Sequence, residues 1–257
     1  MLGEVLTIVL GVMVASCGRG RSNDGEFVLR VATASSVRAA AEEVGGLFAA
    51  GNPGVRVEII AGSTGSLGVK IREGAPFDVF LSADEETPRK LSSAGVIVPA
   101  SLTHYADGRL CLWTRAGSDL CEIAEPLDAL RDPRVRRVAL ANPRLAPYGK
   151  AAESFLEAVG LLDTISPRFA IAENAEQAAQ FALTGSAELA FVSESLAMHL
   201  GEQGRWWRLS RESIPRLRHV GGVVTRSDQR EYAAAFVAFL TGEEGQAVLS
   251  RHGLGKE

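Results

Sequence analysis

The chain has 257 residues and a formal net charge of -4, from 27 Lys and Arg against 31 Asp and Glu, with 46% hydrophobic residues and 3 Cys. That length is enough to bury one large core or two small ones, and 23% charged residues in a mildly acidic balance excludes both a disordered chain and the concentrated basic footprint of a nucleic-acid binder. Three Cys and four His are too few for a disulfide scaffold or a His-rich metal centre.

In chain order, the opening stretch from Leu2 to Ala15 is almost wholly apolar, too short to span a bilayer, and ends in small residues, the pattern of an export signal over residues 1–16. Val14-Ala15-Ser16-Cys17 resembles a bacterial lipobox, which implies a lipid on the Cys17 thiol, attachment to the membrane through it, and a polar tether over residues 17–26. The basic start usual in such leaders is missing, Glu4 standing in its place; simple secretion and a merely apolar tail are the competing readings. From Phe27 the chain alternates β-rich runs with helical patterns, as an α/β protein does. Residues 27–32 read as a strand and 37–49 as a helix whose apolar face is Ala39, Ala40, Val44, Leu47 and Phe48. A strand at 55–60, a helix at 66–72 and a buried strand at 79–81 follow. Further strands fall at 109–114, 137–140, 169–172 and 188–192, with helices at 149–159, 175–183 and 230–240. Trp206 and Trp207, flanked by Arg205 and Arg208, read as a half-buried strand and not as a ligand platform. No short repeat is visible.

The chemistry sits at the junctions where strands pass into helices. Ala34-Ser35-Ser36, Gly62-Ser63-Thr64-Gly65-Ser66, Pro147-Tyr148-Gly149 and Glu173-Asn174-Ala175 each stand just before or at a helix start, with small, hydroxyl or amide residues. Helix-start N–H groups have no partner within the helix and carry the positive end of its dipole, so they favour an anion in front of them. Any single such junction is more simply a helix cap; four at strand C-terminal ends, where open α/β sheets gather ligands, point to a shared site. Competing chemistries lack their residues. GSTGSLGVK at 62–70 has no Gly-Lys-Ser/Thr at P-loop spacing, and no Gly-x-Ser-x-Gly elbow occurs. His104, His199, His219 and His252 fall near element ends and read as surface or structural residues. Cys111 and Cys121 flank Trp113 and a turn at Gly117; a disulfide between them and a buried free Cys111 are both open.

VATASSVRAA at 31–40, AGSTGSLGVKIREGAPFDVFLSAD at 61–84, ALANPRLAPYGKAAESFLEAVGLLD at 139–163 and, less strongly, AIAENAEQAAQFALTGSAELAFVSES at 170–195 resemble the substrate-binding proteins of molybdate ABC transporters, of the type II periplasmic binding protein class. The resemblance spans about residues 27–254. It implies two α/β lobes, each a mixed sheet flanked by helices, joined by a hinge and closing over a tetrahedral oxyanion: lobe 1 at 27–106 plus 218–257 and lobe 2 at 107–217, with crossings near Tyr105 to Gly108 and Arg216 to Gly221. By motif, Ser35 and Thr64 are the oxyanion-binding donors of lobe 1, and Tyr148 and Ala175 those of lobe 2, with Ser63 and Asn174 as secondary candidates. Many members carry a tyrosine where this chain has Ser193; here Tyr148 takes over that phenol contact and Ser193 is not a ligand. The expected ligand is molybdate, with tungstate beside it, the metal held through its oxygens with no direct bond from protein to metal. No cofactor and no reaction are expected, and the partners are a membrane permease with its ATPase subunit, met by a periplasmic, lipid-anchored monomer. Neutral donors suffice physically: at roughly 1.5–3 kcal/mol each, about five charge-assisted hydrogen bonds supply the ~8 kcal/mol of micromolar binding before ordering costs. Donors alone suit a fully deprotonated dianion, whereas protonated phosphate needs an acceptor, for which Glu173 is the nearby candidate. A sulfate or other oxyanion receptor is the alternative ligand reading, and a periplasmic enzyme or sensor input domain the alternative class.

Overall fold

The computed structural model describes residues 27–256. The apolar leader, Cys17 and the tether lie outside the described residues. The chain builds two five-stranded mixed sheets. In the first, β1 (Phe27–Ala34) pairs in parallel with β2 (Val55–Gly62) and with β3 (Val79–Leu81). The β4 strand (Thr103–Gly108) leads towards the second sheet, and β10 (Leu217–Val223) brings the chain back antiparallel to both β3 and β4, for the order β2-β1-β3-β10-β4. The second sheet has the order β7-β6-β8-β5-β9, from β5 (Leu110–Arg115), β6 (Val138–Ala141), β7 (Phe169–Ala172), β8 (Leu189–Ser193) and β9 (Gly204–Arg208). Its β6, β7 and β8 run parallel, and β5 is antiparallel to β8 and β9. The Trp206 and Trp207 segment is thus the β9 edge strand, with the Trp207 indole N–H donating to the Ile123 carbonyl at 3.1 Å.

β4 and β10 stay paired from Gly108 opposite Leu217, so the chain leaves the first sheet between Gly108 and Leu110 and returns between Arg208 and Leu217. The 106/107 and 217/218 divisions expected from sequence fall inside this pairing, because the strand ladder continues up to the crossing itself. Apolar packing also continues through it: Tyr105, Ala106, Leu110, Leu112 and Tyr148 belong to one buried cluster with Leu29 and Val31 on one side and Leu140 and Phe191 on the other.

Helices cover the sheet faces, which is why β1 is buried along most of its length and β3 along all of it. After a 3-10 turn at Ser35–Val37, α1 (Arg38–Gly51) packs through Ala40, Ala41, Val44, Gly45 and Phe48. Leu47, expected on that face, is 42% exposed, because the buried stripe follows 40, 44 and 48 and position 47 lies outside it. The α2 (Thr64–Arg72) and α3 (Glu86–Ser93) helices complete this side. In the second lobe α4 (Pro126–Arg131), α5 (Pro147–Ala158), α6 (Leu162–Ile165), α7 (Ala175–Leu183) and α8 (Glu194–Leu200) surround the sheet. The chain closes on the first lobe with α9 (Arg230–Thr241) and α10 (Glu243–Arg251). Among the described residues no helix is long and apolar enough to cross a membrane.

Candidate functional site

Each lobe offers the C-terminal ends of parallel strands, and the next helix starts there. Ala34 ends β1 opposite Gly62 at the end of β2, which sets Ser35 and Thr64 side by side on one lobe. Ala141 ends β6 opposite Ala172 at the end of β7, and the Asn142 amide donates to the Ala172 carbonyl at 2.7 Å, which brings the starts of α5 and α7 together on the other.

The lobes meet at these junctions. The Gly65 amide, in the first turn of α2, donates to the Leu145 carbonyl just before α5 at 2.8 Å. A Cβ on residue 65 would sit 2.9 Å from that oxygen and 3.1 Å from the Leu145 Cα, so the approach of the two backbones requires glycine. Arg38, at the start of α1, pairs with Glu176, at the start of α7, at 2.9 Å. The Ser35–Val37 turn packs against both α7 and α8. All four sequence-predicted contacts are enclosed: Ser35 is 6% exposed, Thr64 1%, Tyr148 3% and Ala175 4%.

Their local chemistry differs. The Thr64 hydroxyl accepts the Ala83 amide at 3.1 Å, which orients Oγ1 and leaves its hydrogen free to donate. Ser63 is engaged in capping α2: its hydroxyl donates to Ser66 Oγ at 2.7 Å and accepts the Ser66 amide at 3.4 Å. Asn174 likewise caps α7 by accepting the Gln177 amide at 3.0 Å, so the N–H of Ala175, the first helical residue, faces outward from the helix start. Ser193 caps α8 by accepting the Leu196 amide at 3.1 Å. The α5 helix has no side-chain cap; Pro147 fills its first turn, and the N-terminus beside Tyr148 and Gly149 is buried. A buried, uncapped helix start is where an anion stabilises the fold as well as binding. Glu173, the possible acceptor for a protonated ligand, is exposed.

Sequence reading by motif missed two residues here. Ser36 is 4% exposed, and its buried hydroxyl lies beside the Tyr148 phenol, where a hydrogen bond between the two favours the ionised phenol. His219, on β10, is fully buried, and its Nε2 lies 3.4 Å from the Tyr148 hydroxyl. Burial is the first cause of both pKa displacements: the phenol is driven well above its usual range, and the imidazole is held down to about 3. Neither group is charged near neutral pH. The only signal for His219 in the sequence is its place between Arg218 and the glycine pair at 221–222, which does not specify a contact. Cys111 is buried on β5, where burial raises its thiol pKa, and it is not bonded to Cys121. No cluster of three or more His, Cys, Asp or Glu able to hold a metal ion occurs among the described residues.

Residues 29–255 match the family described as bacterial extracellular solute-binding protein. The chain is 30% identical over 252 residues to the molybdate-binding protein ModA of Azotobacter vinelandii, covering 97% of this chain and 96% of that protein. To the molybdate-binding protein ModA of Rhodobacter capsulatus it is 29% identical over 248 residues, covering 96% and 93%. The solved structure of the Azotobacter vinelandii periplasmic molybdate-binding protein superposes with a TM-score of 0.83 at 30% identity, covering 89% of this chain and 99% of that one. The sulfate-binding protein SubI of Mycobacterium tuberculosis H37Rv superposes at 0.74 and 15% identity, covering 88% and 86%, a likeness of fold alone.

Proposed function

Because the chain belongs to the bacterial extracellular solute-binding proteins, and within them to the molybdate-binding proteins, we propose that it captures molybdate, and tungstate with it, outside the cytoplasm and delivers the ion to an ABC permease driven by a separate ATPase. The observation that carries this reading is the enclosure of four helix starts from two lobes around neutral donors, two of those starts, at Ser35–Val37 and at α5, without a side-chain cap. Ser35 and Thr64 supply hydroxyls from one lobe, Tyr148 a phenol and a helix-start amide from the other, and Ala175 an amide. The ion's oxygens accept from these groups, and its metal makes no bond to the protein. The protein performs no reaction and needs no cofactor; ligand exchange depends on the two lobes separating about the crossing strands. Export, lipidation at Cys17 and action as a monomer complete the proposal.

Hydrogen-bond directionality favours this ligand over phosphate. Donors suit an ion without a proton; of the carboxylates flanking Ala175, Glu173 is exposed and Glu176 is paired with Arg38. Sulfate meets the same rule, and geometry separates it: donors fixed for a larger tetrahedron leave a smaller one with stretched bonds. The test is a thermal-shift panel of molybdate, tungstate, sulfate and phosphate, followed by calorimetry, because a ligand of the folded state raises the melting temperature by mass action. Large shifts with molybdate and tungstate alone are expected. Sulfate binding as tightly as molybdate makes the protein a general oxyanion receptor instead.

A further inference from the structure

His219 is not among the expected ligand residues, yet its Nε2 lies 3.4 Å from the Tyr148 hydroxyl. The β4–β10 ladder breaks its register between His219 and Val220, which lie opposite Ala106 and His104, so Tyr105 is the extra residue of a bulge. Bulges re-aim side chains. Here the His219 ring stands between two phenols, 5.8 Å from the Tyr105 ring centroid and 6.0 Å from that of Tyr148, the latter edge to face at 72°. Tyr105 is itself fixed by donating to the Ser82 carbonyl at 2.9 Å. Room for the pair comes from Gly108: a Cβ there would lie 2.2 Å from the Tyr148 hydroxyl and 2.7 Å from His219 Nε2.

We propose that His219 is a positioning residue that donates its Nε2–H to the Tyr148 oxygen and thereby turns the phenol's own hydrogen toward the bound oxyanion. This rests on the reading of Tyr148 as a ligand contact. The tautomer follows from the surroundings, since His219 Nδ1 is buried with no hydrogen-bond partner. A neutral imidazole carries one N–H. Placing it on Nδ1 would orphan a buried donor, the rarer and costlier defect, and would let Nε2 take the phenol hydrogen that the anion needs. Placing it on Nε2 leaves only a bare acceptor at Nδ1. Donation to the phenol oxygen also polarises its O–H, making it a stronger donor. The histidine stands on the first lobe's returning strand and the tyrosine on the second lobe, so the pair bridges the lobes beside the crossing at Gly108.

The experiment is a double-mutant cycle read by calorimetric titration with molybdate at pH 7.5. Tyr148→Phe alone is expected to weaken binding at least tenfold. His219→Leu in the otherwise unchanged protein is expected to weaken it about fivefold, with His219→Gln, which retains an N–H donor, restoring part of the loss. In the Tyr148→Phe background the same His219→Leu change should alter affinity by less than twofold. An equal loss in both backgrounds would make His219 a packing residue and overturn the proposal, as would no loss in either. If Tyr148→Phe leaves affinity unchanged, the phenol is not a ligand and both readings fail together; if it weakens binding while the histidine variants do not, only the role of His219 fails. Should His219→Leu not fold, the comparison of His219→Gln with His219→Asn, whose shorter side chain cannot reach the phenol, decides the same question.

Discussion

Thr64 holds its place twice, as the first residue of α2 and as the acceptor of the Ala83 amide. Thr64→Ala removes the proposed donor to the oxyanion and strands a buried N–H, each on the order of 1–3 kcal/mol. Affinity for molybdate should therefore fall at least tenfold by calorimetry, with a smaller fall in melting temperature, whereas Thr64→Ser should retain most of both. Wild-type affinity in Thr64→Ala would remove this residue from the site. His219 gives a second prediction, about stability. Its folded pKa, about 3, lies below the ordinary value of 6.5, so between those limits the unfolded chain binds the extra proton. Its contribution is complete above pH 6.5 and is lost as pH falls toward 3, with a slope approaching ~1.4 kcal/mol per pH unit. Urea unfolding of the wild type against His219→Gln should show this acid-side slope reduced in the variant; parallel curves would refute it. The placement of Ser35, Thr64, Tyr148 and Ala175 at buried helix starts was legible because such junctions have a local signature in residue type. The place of His219 was not, since it depends on a bulge and on packing between lobes distant in sequence.

The helix starts work only if backbones from two lobes come close, and the Gly65 amide bonded to the Leu145 carbonyl is the tightest such approach described. Gly65→Ala would set a Cβ against backbone atoms that cannot swing aside. We expect molybdate affinity to fall about tenfold by calorimetry, with the melting temperature of the protein without anion nearly unchanged, and small-angle scattering at saturating molybdate to show a larger radius of gyration than in the wild type. Wild-type affinity and compactness would show that the lobes tolerate the added methyl. The pair of exposed Arg38 with half-buried Glu176 should matter less, since pairs open to solvent on one side contribute at most about 1 kcal/mol. At this scale periodicity located the parallel strands and most of the long helices, because buried parallel strands are short apolar runs and their helices carry a stripe, but it listed neither β4 nor β10. It gave no range for α3, α4, α6, α8 or α10; the hydrophobic face of α3, for one, rests on only Pro88 and Leu91. It also placed Leu47 on the wrong side of α1, because composition cannot tell a stripe residue from its neighbour when both are apolar.

For the whole molecule, a net charge of -4 on an anion receptor is compatible with binding because the enclosed donors are neutral and the carboxylates nearest them are paired or exposed. Buried groups are poorly screened by salt, so the dissociation constant for molybdate should change less than about threefold between ~50 and ~500 mM sodium chloride. A steep salt dependence would place a cationic side chain in the site. Lobe organisation was only partly legible: the 106/107 and 217/218 divisions fall inside the β4–β10 ladder, which depends on pairing across more than a hundred residues that no local pattern encodes.

That ladder also imposes an order in time. Thr64 follows β2 and Ala175 follows β7, the edge strands of their sheets, each three strand spacings, or about 14 Å, from β10 and β5 at the crossing. The Tyr148 hydroxyl rests against Gly108 at the crossing itself. When the lobes swing apart, a point at the fulcrum hardly moves while the outer edges travel farthest. The Gly65 and Arg38 contacts, together with the Ala175 amide, should thus release first and re-form last, with the phenol remaining near its station throughout. An arriving ion would be received at the fulcrum and the first lobe before the far edge shuts over it, and a permease that pries at the outer edges would apply its force with the longest available lever.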